Sequence, residues 1–176
     1  MIIREGAPSD IPALVTIFTN AVHHLAVPHY TEKQRLAWAP EAPDFIGWEQ
    51  RLSSIHTLVA DYNGCLAGFV GFEPDGHIDL LHTAPGFERQ GVASSLLHSA
   101  EHALIQAGVS GFYTEASLVA RPVFERAGYC VEAEETVHLR GELFRRFRMS
   151  KGRSGIAQQG IPADGLAAAS RRQGRG

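Results

Sequence analysis

The segment Glu88-Arg89-Gln90-Gly91-Val92-Ala93-Ser94 is where chemistry is most legible in this sequence. It lies between an apolar run that ends near His82 and a long helical pattern, so it reads as a strand-to-helix junction. At such a junction the first amide N–H groups of the helix have no intrahelical partner, and the helix dipole adds positive charge to them. Together they form a site for anionic oxygens. Gly91 lets the main chain come close to a ligand because it has no Cβ. Ala93 and Ser94 keep the first turn small, and Arg89 could add a charged hydrogen bond to a phosphate. These residue types fit a pyrophosphate cradle, and they also fit an ordinary helix start. Neither a GxxxxGK[ST] loop nor a GxGxxG run is present, which removes the P-loop and Rossmann readings. His98 and His102 stand at i, i+4 spacing, but no third ligand is evident. A solvated helix face is the simpler reading, and no metal is expected.

The elements that would position this loop follow from periodicity. Ile2 to Glu5 reads as a strand, and Pro8-Ser9-Asp10 starts a helix in which Ser9 or Asp10 can cap. Ile11, Leu14, Val15, Phe18, Val22 and Leu25 give that helix one buried face before Pro28 stops it. Thr31 caps a short second helix through Trp38, and Trp48 to Leu52 adds a helical turn. Thr57–Tyr62, Leu66–Glu73 and His77–His82 form an antiparallel meander around the turns Asn63-Gly64 and Asp75-Gly76. The apolar helix from about Val92 to Ala107 ends at Gly108. A strand at Phe112–Glu115, a helix at Arg121–Ala127 and strands from Tyr129 and near Leu143–Met149 complete an α/β (α+β) pattern with a partly parallel, mixed sheet.

Residues 1–150 form one expected domain, and 151–176 a flexible, basic, Gly/Ala/Arg-rich tail with a weak helical turn at Leu166–Ala169. The net charge is -3, and with the tail set aside the body keeps 11 basic against 18 acidic residues, which argues against a nucleic-acid surface. Cys65 and Cys130 are read as reduced thiols in or near the core, hence a cytoplasmic protein. The start lacks a signal-peptide run, and no apolar stretch approaches membrane-spanning length.

The run Leu81-His82-Thr83-Ala84-Pro85-Gly86-Phe87-Glu88-Arg89-Gln90-Gly91-Val92-Ala93 resembles the signature of the GNAT N-acetyltransferases: a strand, then often a proline, then Q/R-x-x-G-x-G/A opening a helix. Gly91 and Ala93 match its last fixed positions, and Glu88 stands where Gln or Arg is usual. Ser117, Ala120, Phe124, Gly128 and Tyr129 fill places in a run resembling the second motif of that family. The segments His29-Tyr30-Thr31 through Trp38-Ala39 and Arg140-Gly141 through Met149 resemble the YafP-type bacterial subgroup.

The resemblance implies a mostly antiparallel central sheet of six or seven strands with about four flanking helices. It implies acetyl-coenzyme A as cosubstrate, a small-molecule or peptide amine as acceptor, and direct attack in a ternary complex. The pantetheine arm would pair with the main chain near Leu81, His82 and Thr83, and Glu88, Arg89, Gln90, Gly91, Val92, Ala93 and Ser94 would hold the pyrophosphate, with Ser117 and Phe124 also touching the cofactor. His77 and Asp79, expected to share a strand face with Leu81, would take the amine proton; Glu73 is a second candidate. Phe124 occupies the place of a tyrosine acid, so Tyr30 is the candidate acid. His24, His29, Tyr30 and Trp38 would line the acceptor site. Family members often dimerise, so a homodimer is admitted. The competing readings are a non-catalytic coenzyme A-binding sensor and, disfavoured by the acidic body, an acetylator of aminoacyl-tRNA. No membrane or nucleic-acid partner is expected.

Overall fold

The computed structural model describes residues 1–152; the readings made for 153–176 lie outside the described residues. The strands are β1 (Ile2–Glu5), β2 (His56–Tyr62), β3 (Cys65–Phe72), β4 (Ile78–Thr83), β5 (Phe112–Ser117), β6 (Cys130–Leu139) and β7 (Glu142–Lys151). The helices are α1 (Ile11–Asn20), α2 (Glu32–Trp38), α3 (Phe45–Ser54), α4 (Val92–Gln106) and α5 (Arg121–Arg126). Every strand pair is antiparallel, in two sheets ordered β1-β2-β3-β4 and β5-β7-β6. A parallel bridge from His77 to Tyr113 joins them. The mixed character expected of the sheet is concentrated at this point.

Two apolar layers cover the two faces. Leu96, Leu97 and Leu104 of α4 and Phe124 of α5 pack with Val70, Ile78, Phe147 and Met149. Phe18 of α1 and Trp48 and Leu52 of α3 pack with Val59, Phe69 and Leu80 on the opposite face. Each such side chain removed from water contributes about 1.5–3 kcal/mol before entropy is counted. Gly68 brings α4 onto the sheet: a Cβ there would lie 2.5 Å from the His82 carbonyl oxygen and 3.0 Å from Val92 Cγ1. Only a residue without a side chain lets the first turn of α4 rest directly over β3 and β4.

Local chemistry explains most element ends. Thr31 accepts from the Gln34 amide at 3.2 Å while Gln34 Oε1 accepts from the Thr31 amide at 2.9 Å, a reciprocal cap. Asp44 caps α3, which runs a full ten residues rather than the single turn expected around Trp48–Leu52. Asp10 does not cap α1; its carboxylate accepts from the Ala7 amide and pairs with Arg4 at 2.7 Å. The helix after Asn20 widens into a π-helical segment, Ala21–Leu25. Cys65 and Cys130 are both exposed, not in the core as expected. One follows a hairpin turn and the other starts an edge strand, where packing demands little.

The decisive irregularity is in β4. Gly71 faces Leu80 and Phe72 faces Ile78, so Asp79 is the extra residue of a bulge. Strict alternation holds only where pairing is unbroken. Ile78 and Leu81 accordingly join the α4 layer and Leu80 joins the α1/α3 layer. The expectation that His77, Asp79 and Leu81 share one face is therefore corrected: His77 and Leu81 lie on opposite faces.

Candidate active site

The two sheets meet tightly at one end and part at the other. At the closed end the Tyr113 amide donates to the Gly76 carbonyl at 3.1 Å, and the Tyr113 hydroxyl donates to the Asp75 carboxylate. The His77 and Tyr113 rings stack with centroids 4.8 Å apart. Thr114 Oγ1 donates to the Ile78 carbonyl at 2.8 Å, a side chain standing in for a ladder bond. Past this link β4 and β5 share no register, and a cleft of about 970 Å³, counted to its open mouth, separates Ile78–His82 from Thr114–Ser117. Phe18, Trp38 and Trp48 wall its α1/α3 side, and Ala120 and Phe124 wall the α5 side.

Three carboxylates line the cleft, Asp44, Asp79 and Glu115, and Asp44 is spent on capping α3, where it accepts from the Gly47 amide at 3.0 Å. The bulge turns Asp79 toward α3, where Arg51 grips both of its oxygens at 3.0 and 2.8 Å. Glu115 Oε2 lies 2.7 Å from His77 Nε2, and the Glu115 side chain is 5% exposed. His77 Nδ1 lies 3.6 Å from Glu73 Oε2, beyond hydrogen-bond reach, and Glu73 opens to solvent. Burial alone would lower the His77 pKa, but the bond and charge of Glu115, with Asp79 and Glu73 behind, outweigh it and raise the value above the ordinary 6.5. His82 behaves oppositely. Its ring sits at the cleft floor against Phe18 and Phe69, and burial followed by the Arg51 charge pushes its pKa down to about 4.

At the other end of β4 the junction loop opens α4. Gly91 is the residue before the helix, with φ 82° and ψ 2°, the left-handed region that disfavours side chains. A Cβ there would meet no heavy atom within 4 Å, so the space above it is open. The first intrahelical bond of this turn runs from the Ser95 amide to the Gly91 carbonyl at 2.9 Å, which leaves Val92, Ala93 and Ser94 with outward amides. Glu88, in place of the usual Gln or Arg, accepts from the Gly86 amide at 2.8 Å, and Gln90 donates to the Gly86 carbonyl at 2.8 Å. Both side chains therefore brace the loop. The open left-handed glycine, the outward amides and the split strands fit a diphosphate with a long arm, as in coenzyme A.

The remaining sequence-selected residues divide cleanly. Asp79, Leu81, His82, Ser117, Phe124 and Trp38 line the cleft. Thr83 continues β4 toward the loop. His77 and Glu73 stand behind Glu115, outside the cleft lining. Tyr30 is buried, ringed by Trp38 and Phe144, and its hydroxyl accepts from the Leu118 amide at 3.1 Å; burial raises its pKa. His24 and His29 are exposed, and it is His23 whose Nε2 meets a backbone oxygen, that of Ala39, at 2.7 Å. Sequence reasoning did not select Glu115 or Arg51 as site residues. Glu115 begins the second motif, and its alternation with Ser117 along β5 was the available signal. No local pattern points from Arg51 to Asp79, 28 residues away.

Comparison with known proteins agrees with this geometry. Residues 26–151 match the family model described as an acetyltransferase (GNAT) domain. The chain is 35% identical over 147 residues, 84% of its length and 93% of the relative, to an uncharacterised N-acetyltransferase, YafP, of Escherichia coli (strain K12). A GCN5-related N-acetyltransferase from Rhodopseudomonas palustris superposes with a TM-score of 0.82 at 30% identity, covering 86% of this chain and 94% of that one. The PaiA N-acetyltransferase from Thermoplasma acidophilum, solved in complex with coenzyme A, shares the fold with a TM-score of 0.69 at 18% identity, covering 86% and 98%.

Proposed function

Because this chain belongs to the GNAT acetyltransferase family, we propose that it transfers acetyl from acetyl-coenzyme A to a primary amine by direct attack, with donor and acceptor bound together. The observation that carries this reading is the parting of β4 from β5 between a closed, acidic end and the open turn at Gly91. The thioester supplies an activated acetyl group when bound. The outward amides of Val92, Ala93 and Ser94 hold the diphosphate, with Arg89 beside them. The free edge of β4 near Leu81, His82 and Thr83 takes the pantetheine arm as an added strand. A main-chain N–H at Leu81 or His82 polarises the thioester carbonyl.

The acceptor enters between the aromatic wall and the carboxylates. An alkyl ammonium has a pKa of about 10.4, so a base must remove a proton before attack. The acidic end holds the groups for this: His77, Asp79, Glu115 and Glu73. A thiol of pKa about 8.5 leaves as a fairly stable anion, which lightens the need for an acid where Phe124 replaces tyrosine. The Tyr30 hydroxyl, close to Ser117 on the cleft wall, is the phenol best placed to assist. A turnover screen of acetyl-coenzyme A over polyamines, aminoglycosides, amino acids, arylamines and peptide N-termini tests the reading. Thioester loss that depends on one amine class supports it. Coenzyme A binding without turnover of any amine would favour the sensor reading, to which the buried Phe124 lends its weight.

A further inference from the structure

Resting on the acetyltransferase reading, we propose that Glu115 of β5 is the proton acceptor facing the bound amine, and that His77 and Glu73 carry its proton out to solvent through the closed end of the split sheet. An ammonium nitrogen loses two protons in becoming an amide. The first must leave before attack, and this is the one assigned to Glu115. The second leaves as the C–N bond forms and the C–S electron pair goes to sulfur, and the departing thiolate can take it.

Geometry selects Glu115 over the other two cleft carboxylates, of which Asp44 is the cap of α3 and accepts from the Gly47 amide. Asp79 spends both oxygens on Arg51, so its lone pairs and its charge are already engaged. Glu115 uses Oε2 on His77, and among the described residues its Oε1 makes no hydrogen bond. Its side chain borders the cleft on one side and the imidazole on the other. An imidazole can accept a proton at one nitrogen and release one at the other. Nε2 of His77 is bonded to Glu115, and Nδ1 faces Glu73 across 3.6 Å. The Glu73 side chain is 43% exposed, so a small swing or one water closes that gap and delivers the proton outside.

The ring is held for this task. It stacks on Tyr113 at the bridge joining the two sheets, and its amide donates to Asp75 Oδ1 at 3.1 Å. Charged and titratable groups facing it are Glu73, Asp75, Asp79 with its partner Arg51, Tyr113 and Glu115. Arg148 lies opposite Glu115 in the β5–β7 pair but is engaged by Glu132 and Glu135. The exit therefore runs through an acidic corner where, among the described residues, no cation pairs with His77.

The test compares wild type, Glu115→Gln and His77→Gln by steady-state kinetics against pH, with ¹⁵N-histidine NMR titration on the same full-length proteins. Glu115→Gln should lower kcat by roughly 100-fold with the KM for acetyl-coenzyme A nearly unchanged. His77→Gln should lower kcat by about 10-fold and lose the rise of rate with pH, and added imidazole buffer should restore part of it. In the NMR titration Glu115→Gln should move the His77 midpoint downward, because a neighbouring negative charge is gone. Wild-type kcat and pH profile in Glu115→Gln, or a His77 midpoint that ignores that substitution, would overturn the relay. If wild type acetylates no amine the acetyltransferase reading fails on its own, and the relay is then judged by the titration. If His77→Gln does not fold, Glu115→Gln, which removes only a charge, decides alone.

Discussion

Valine at position 91 should weaken coenzyme A binding far more than it weakens the fold, and the size of each effect follows from the backbone. Gly91 has φ 82°, so a side chain costs about 1–2 kcal/mol in the left-handed region, and β-branching adds to it. No protein atom lies within 4 Å of the new Cβ, so no clash compounds the strain. For a chain of this size that cost lowers Tm by roughly 2–8 °C. The same Cβ, however, fills the space that the diphosphate needs, and at least one amide contact is lost. A loss of about 2.7 kcal/mol corresponds to roughly 100-fold in Kd. Gly64, in the β2–β3 hairpin, is the matched control: φ 86°, and again nothing within 4 Å. Gly64→Val should lose comparable Tm and bind coenzyme A like wild type. Thermal unfolding without ligand and calorimetric titration of coenzyme A read the two effects separately. Equal Tm losses with an unchanged Kd in Gly91→Val would refute the reasoning.

Three further substitutions probe the polar floor of the cleft. His82 is neutral in the fold with its pKa pushed down to about 4, against an ordinary 6.5, so the unfolded chain binds the proton first as pH falls. Its contribution is intact above pH 6.5 and is lost progressively from there to about pH 4, roughly 3 kcal/mol in all. His82→Phe should flatten that part of the stability curve in urea unfolding at stepped pH. The Arg51–Asp79 pair has side chains only 13% and 9% exposed, so Arg51→Met should cost about 3 kcal/mol by leaving a buried carboxylate alone. Adding Asp79→Leu to Arg51→Met should recover much of that, as a double-mutant cycle in denaturant would reveal.

Local features of this fold were legible where neighbours in sequence set the outcome. Thr31 with Gln34, the Asn63-Gly64 turn and the strand-to-helix junction at Gly91 all involve residues a few positions apart. The features that escaped depend on partners far along the chain. Asp10 is the exception, since Arg4 and Ala7, only 6 and 3 positions away, draw its carboxylate from the cap. The bulge at Asp79 exists only in the register between β3 and β4, and it flips the faces that simple alternation assigns to His77 and Leu81. Glu115 meets His77 across 38 residues, beside the parallel bridge that joins the two sheets. The strand-to-helix junction proposed to hold the diphosphate was readable because a helix terminus is a local object. The acidic end was readable only in part, because His77, Asp79 and Glu73 are near one another in sequence whereas Glu115 and Arg51 come from a strand of the other sheet and from α3.

The most direct measurement is a map of backbone amide shifts by NMR as coenzyme A is titrated into the full-length protein. The largest changes should fall on Gln90 to Ser94 and on Leu81 to Thr83, the two stretches proposed to hold the cofactor. Saturable binding whose shifts cluster elsewhere, with these amides unmoved, would contradict the placement of the cofactor between the parted strands.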